Sequence, residues 1–199
     1  MDKVSDISRA DDSVDFDALM LMAPDAVAYL YQDGTVIHYP VMQSDDNEYY
    51  LSHLYDGTEN PAGCLFIDYK NNASFTDYNT VIYGHNMWDG SMFSSLWQYR
   101  EQSYYDAHPT MQLITKNGEY SVQIISAFTA KTDESSDEYS PWTVSFETDS
   151  AYDAWLSHMI QHSEIVCDIP ADTDDRVVTL STCTPGGEDR FIVVGVLTA

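Results

Sequence analysis

Three features of the sequence predict a mainly β fold: a closed or nearly closed barrel of about seven or eight strands, with N-terminal helices and one helix inserted late in the chain. From Thr35 onward, short runs rich in Val, Ile, Thr and aromatic residues alternate with turn residues. Asn117-Gly118 lies between two such runs and is the strongest short hairpin signal present. Helical periodicity is confined to the N-terminal region and to two later stretches.

The elements follow in order. Residues 1–12 are polar and read as a flexible tail, leaving 13–199 as a single domain. Phe16, Leu19, Met20 and Ala23 recur with helical spacing behind Asp12 or Ser13 as a candidate N-cap. After Pro24, Asp25 to Tyr31 reads as a second short helix ending at Gly34, so 13–31 is predicted as a helical layer docked on a barrel spanning 35–199. Strands are predicted at Thr35–Tyr39, Cys64–Asp68, Thr80–Tyr83, Met111–Thr115, Tyr120–Phe128, Trp142–Phe146, Val177–Cys183 and Phe191–Val194. Ser91–Tyr99 has Phe93, Leu96 and Trp97 on one helical face. In Ser150–His162, Tyr152, Trp155, Leu156, Met159 and Ile160 keep the helical period behind a capping-box pair, Ser150 and Asp153. The acidic, Ser-rich run 132–139 reads as a surface loop.

Composition narrows the function. The chain has 199 residues, 44% hydrophobic and 13% aromatic, enough for one well-buried core. Its 33 acidic residues against eight basic ones give a net charge of −25, which repels nucleic acid and anionic lipid and favours cationic partners. The three cysteines, Cys64, Cys167 and Cys183, form no CxxC pair that would suggest zinc. Cys64 and Cys167 are left open to one disulfide. No apolar run approaches the ~20 residues of a membrane span, and no signal peptide is visible. The carboxylates at Asp45-Asp46 and Asp172–Asp175 lack the Gly and Glu of a calcium loop and read as solvated charge. His158 and His162 stand one turn apart on a polar helix face without a third ligand, so no metal site is predicted.

Val177 to Cys183 runs as a strand into a thiol, Thr184-Pro185-Gly186-Gly187 turns the chain, and Arg190 opens the next strand. Adjacent strands would then hold a thiol and a guanidinium side by side. About a hundred residues earlier, Tyr83-Gly84-His85-Asn86-Met87 closes a strand at a glycine, where the backbone can turn sharply. Each group has an ordinary alternative: Cys183 as a small buried hydrophobe, His85 bonded to its own loop, and Arg190 paired with Glu188 or Asp189.

Taken together, Tyr-Gly-His-Asn-Met followed by Gly90-Ser91-Met92-Phe93, and Thr-Leu-Ser-Thr-Cys with a downstream Arg, resemble the sortases, cysteine transpeptidases of Gram-positive cell surfaces. The resemblance extends to class B through Phe16-Asp17-Ala18-Leu19 with Pro24-Asp25, through Tyr39-Pro40-Val41 and Asp46–Leu51, and through the helix before the Cys strand. It implies that Cys183 attacks the carbonyl of a Thr in a sorting signal, that His85 serves as general acid and then base, and that Arg190 supports the oxyanion or the substrate backbone. It further implies that Asn47, Leu51, Tyr83, Ser181 and Thr182 line the sorting-signal groove. The implied partners are surface proteins carrying a C-terminal sorting signal of the Asn-Pro-x-Thr type and an amine of a peptidoglycan precursor, lipid II or its stem peptide. The implied location is the outer face of a Gram-positive cell membrane, with an N-terminal anchor outside the present sequence. No cofactor is implied.

Two departures stand out: the Cys-to-Arg loop is short for class B, and Thr184 follows the thiol where some members carry an acidic residue. The acidic field disfavours a thiolate, so a minor thiolate–imidazolium population and slow turnover are expected. Three rivals remain: a pilin polymerase of the same fold using a Lys nucleophile, a non-catalytic surface-binding barrel, and a hydrolytic cysteine protease.

Overall fold

A computed structural model describes residues 14–132 and 139–199. The predicted tail and most of the acidic loop at 132–139 lie outside the described residues. Eight strands close into one barrel: β1 Ala26–Tyr31, β2 His38–Met42, β3 Leu65–Ile67, β4 Asn79–Tyr83, β5 Thr110–Thr115, β6 Gly118–Lys131, β7 Val177–Cys183 and β8 Asp189–Thr198. Their order around the barrel is β1-β2-β3-β4-β7-β8-β6-β5. The pairs β2–β3 and β4–β7 are parallel; the others are antiparallel. Among the described residues, α1 spans Phe16–Met22, α2 Gln102–Ala107 and α3 Asp149–Gln161, with 3-10 segments at Tyr49–Leu51 and Ser94–Arg100.

Strand alternation separates two environments. Ala28, Leu30, Val41, Leu65, Ile67, Ile82, Val178, Leu180, Phe191 and Val193 fill the barrel interior. On the outer face, Ile125, Val177, Ile192, Val194 and Val196 pack under Tyr152, Trp155, Leu156 and Met159 of α3. Elsewhere on the outer face, Tyr29, Met42 and Phe66 pack under Leu19 of α1. Both helices are therefore held by one apolar stripe each, the arrangement expected of short helices that are marginal alone.

Several expectations need correction. The segment Asp25–Tyr31 is not helical: Ala26–Tyr31 is β1, placed between β2 and β5 with Ala28 and Leu30 turned inward. The helical layer thus reduces to α1, capped by Asp15, whose carboxylate accepts from the Ala18 amide at 3.0 Å. The strand expected at Thr35–Tyr39 begins at His38 and continues through Pro40. Pro40 faces Tyr29 across β1, and pairing with β3 begins only at Val41, so the missing N–H interrupts no ladder bond.

Trp142–Phe146 is an irregular segment. The closed barrel leaves no free edge beside β7, and the carbonyls of Pro141 and Thr143 accept from the Asn79 side chain instead. The predicted helix Ser91–Tyr99 is a 3-10 segment, Ser94–Arg100. The cap of α3 is Thr148, whose hydroxyl accepts from the Ala151 amide at 3.1 Å, and Ile160 is exposed where burial was expected. All three cysteines are free thiols.

Candidate active site

Parallel pairing of β4 with β7 sets the site. Tyr83 pairs with Ser181, and both strands leave the sheet at the same end. The ladder continues beyond the strand: the Gly84 amide donates to the Ser181 carbonyl at 3.1 Å. The next bond in that series would run from residue 86 to the Cys183 carbonyl, and the Asn86 side chain makes it, donating at 2.9 Å. From the other side, the Thr182 hydroxyl donates to the Gly84 carbonyl at 2.7 Å. The segment carrying His85 is thereby tied alongside Cys183.

On the far side of β7, Cys183 lies directly opposite Arg190. The Thr184 amide donates to the Asp189 carbonyl at 3.0 Å, so the neighbouring Cys183–Arg190 pair is a non-hydrogen-bonded one, the kind in which side chains stand closest. Alternation gives Cys183 the outward parity of Val177, and Arg190 that of Ile192, Val194 and Val196. Imidazole, thiol and guanidinium residues thus follow one another across β4, β7 and β8 at one rim. All three residues are half-buried.

Gly84 is required here by packing. A Cβ would come within 2.4 Å of Leu65 Cδ2 and 2.6 Å of Phe93 Cδ2, and its φ lies outside the left-handed region. The sharp turn expected at this glycine is therefore a close approach instead. The His85 carbonyl accepts from the Phe93 amide at 2.9 Å, fixing the backbone beyond the glycine. Its ring Nε2 lies 2.8 Å from the Leu51 carbonyl. A carbonyl only accepts, so Nε2 carries the proton in this bond. Among the described residues, Arg190 forms no ion pair with Glu188 or Asp189; its Nη1 donates to the Asp189 and Gly187 carbonyls at 3.1 and 3.5 Å. The loop between thiol and guanidinium is a tight turn, with the Gly187 amide donating to the Thr184 carbonyl at 2.8 Å.

The other expected groove residues divide. Leu51 is 42% exposed near the His85 ring. The side chains of Asn47 and Tyr83 both donate to Asp68 Oδ2, at 2.8 and 2.9 Å. Burial first, and then the neighbouring Asp68 carboxylate, push the Tyr83 phenol well above its ordinary range. Ser181 and Thr182, expected in the groove, keep their side chains inside the protein, 3% and 2% exposed. Ser181 Oγ accepts from the Trp142 indole at 3.0 Å, and Thr182 points along the interior to Gly84.

Three contributors were not anticipated: Asn86, which bridges the two strand ends; Trp142, which covers the outer face at Ser181; and buried Asp68. Asn86 had a signal in its place next to His85. Trp142 and Asp68 acquire their roles only through partners distant in sequence.

The other thiols differ from Cys183. Cys64 is 6% exposed, and its thiol is pushed up to about 12, by burial first and then by the nearby Asp56 charge. Cys167 is half-buried, its sulfur 3.5 Å from the Ile124 carbonyl.

A barrel with a Cys, His and Arg aligned at one rim has the form of a cysteine acyl-transfer enzyme. Residues 30–198 match the family described as the sortase domain, and the chain belongs to that family, whose members are cysteine transpeptidases. Its similarity lies with class B. Sortase B of Listeria monocytogenes is 37% identical over 165 residues, covering 83% of this chain and 65% of that protein. Sortase B of Staphylococcus aureus is 33% identical over 182 residues, covering 90% of this chain and 72% of that one. The chain thus spans about two thirds of the length of these relatives. Among solved structures, Staphylococcus aureus sortase B superposes with a TM-score of 0.85 at 31% identity, covering 92% of this chain and 86% of that one. Sortase B from Listeria monocytogenes superposes at 0.80 with 35% identity, covering 91% and 99%.

Proposed function

We propose that this protein cleaves a C-terminal sorting signal of the Asn-Pro-x-Thr type and transfers the acyl group to an amine of a cell-wall precursor at the outer surface of a Gram-positive cell. The alignment of His85, Cys183 and Arg190 across three neighbouring strands carries this reading. Cys183 attacks the Thr carbonyl, the amide bond after that Thr breaks as His85 protonates the departing amine, and a thioester remains on Cys183. The incoming amine then loses a proton to His85 as it displaces the thiol. Arg190, with its carboxylate neighbours unpaired to it, has donors free for the oxyanion or the substrate backbone. The signal lies along the outer face past Leu51 and Trp142, with Asn47 and Tyr83 supporting the wall.

For the acceptor, a solved sortase B with 31% identity and a TM-score of 0.84 is complexed with triglycine, a peptide presenting an N-terminal amine. That favours a peptidyl amine over a pilin Lys for this chain. Mass spectrometry of products from a panel of sorting peptides, with triglycine, a stem-peptide amine or a pilin domain added, tests the proposal. Transfer of the Asn-Pro-x-Thr acyl group to triglycine or the stem-peptide amine is expected. Transfer to the pilin Lys alone establishes the polymerase reading, and cleavage that persists in Cys183→Ala refutes the transpeptidase.

A further inference from the structure

We propose that Asp68 is a positioning residue that holds the Leu51 carbonyl over His85 and thereby fixes which ring nitrogen exchanges the proton; this rests on the reading of His85 as the acid–base group. Asp68 is 6% exposed and follows β3. Its Oδ2 accepts from Asn47 Nδ2 at 2.8 Å and from the Tyr83 hydroxyl at 2.9 Å, and its Oδ1 accepts from the Lys70 amide at 2.9 Å. The Asn47 side-chain oxygen in turn accepts from the Tyr69 amide at 3.0 Å.

One buried carboxyl group therefore joins the loop before Leu51 to the strand that delivers His85. Asn47 lies four residues before Leu51, and Tyr83 two before His85. The intervening backbone is held by further hydrogen bonds. Asp46 Oδ1 accepts from the Glu48 and Tyr49 amides at 2.9 and 2.8 Å, and the Tyr50 carbonyl accepts from the Cys64 amide at 2.9 Å. Gly63 closes the opposite side, because a Cβ there would come within 2.2 Å of the Tyr50 carbonyl oxygen and 2.9 Å of the Leu51 carbonyl.

The chemical consequence is specific. With Nε2 committed as donor to Leu51 in both the neutral and the charged ring, the proton that comes and goes is the one on Nδ1. Without the bond to Leu51 the ring exchanges freely between tautomers, and the fraction presenting a proton-accepting Nδ1 falls.

Nitrogen NMR of protein labelled at histidine reads this directly, with the signal missing from His85→Ala assigning the ring. At a pH where the ring is neutral, the wild-type ring is expected to carry its proton on Nε2; a ring protonated on Nδ1 overturns the proposal. Asp68→Asn and, from the opposite side, Gly63→Ala are each expected to mix the two tautomers and lower kcat about twofold or more, with KM changed much less. A folded variant of either kind with the wild-type ring spectrum also overturns it. If Asp68→Asn does not fold, Asn47→Ala, which removes the bond from Asp68 to the loop before Leu51, is read in its place with the same two outcomes. The ring spectrum is independent of turnover, so failure of the transpeptidase reading shows separately, as peptide cleavage by Cys183→Ala.

Discussion

At the scale of single residues, differences in environment among the thiols separate chemistry from structure. Cys64, with its thiol pushed up to about 12 by burial, has a negligible thiolate fraction near neutrality, whereas half-buried Cys183 lies at the open end of β7. Alkylation of the native protein at pH 8, followed by peptide mapping, is expected to modify Cys183 first and to leave Cys64 untouched until the protein is unfolded. Equal labelling of the two would contradict this. Asn86→Ala removes the side-chain bond that replaces a ladder bond to Cys183. It is expected to reduce kcat about tenfold while shifting Tm by only a few degrees, because the bond is partly solvent-exposed. The juxtaposition of Cys183 and Arg190 on adjacent strands was legible because a tight turn separates them, and the place of His85 beyond a strand end was marked by Gly84. Asp68 was not, because only folding brings Asn47 and Tyr83 to it. The burial of Ser181 and Thr182 was hidden for a related reason: Trp142, distant in sequence, covers Ser181 on the outer face, and strand alternation turns Thr182 inward to Gly84.

At the scale of elements, the barrel strands were mostly legible from β-prone runs and turns, and the failures share a cause. Ala26–Tyr31 contains Ala, Leu and Tyr, which sit comfortably in a helix, and its strand state is imposed by partners on both edges. The segment at Trp142–Phe146 has β-forming residues but no open edge to join, because β7 is already flanked by β4 and β8. Helix α3 was found because its buried face repeats over 13 residues; its cap was misplaced, and Ile160 lies outside that face. Its packing supplies a clear test. Trp155 is fully buried, and its indole donates to the Ser140 carbonyl at 2.8 Å. Trp155→Ala is expected to destabilise the fold by about 3–5 kcal/mol in urea titrations, whereas Thr148→Ala, losing one cap, is expected to lose about 1 kcal/mol. Similar effects from the two substitutions would mean that α3 is not anchored through its apolar face.

At the scale of the whole molecule, charge and buried phenols set the response to solution conditions. A net charge of −25 opposes compaction, so added salt up to about 0.3 M is expected to raise Tm, most steeply at the low end. Burial lifts Tyr29 and Cys64 to about 12 and raises Tyr50, Tyr99 and Tyr152 as well. In the unfolded chain these groups ionise near their ordinary values, so the folded state holds more protons above about pH 9. Stability from these groups is therefore complete below about pH 9 and is lost as pH rises towards 12; circular dichroism melts at pH 8 and pH 11 would show a lower Tm at the higher pH. An unchanged Tm would contradict the burial of these groups.

In the proposed reaction the barrel contributes alignment, since parallel and antiparallel pairing around β7 bring the segments carrying His85 and Arg190 to either side of Cys183. Intact-mass and peptide-mapping analysis of the enzyme quenched during reaction with an Asn-Pro-x-Thr sorting peptide tests that alignment most directly. An acyl adduct on Cys183, accumulating without an amine and discharged by triglycine, is the expected result. An adduct on Cys64 or Cys167, or peptide turnover with Cys183 replaced by Ala, would contradict it.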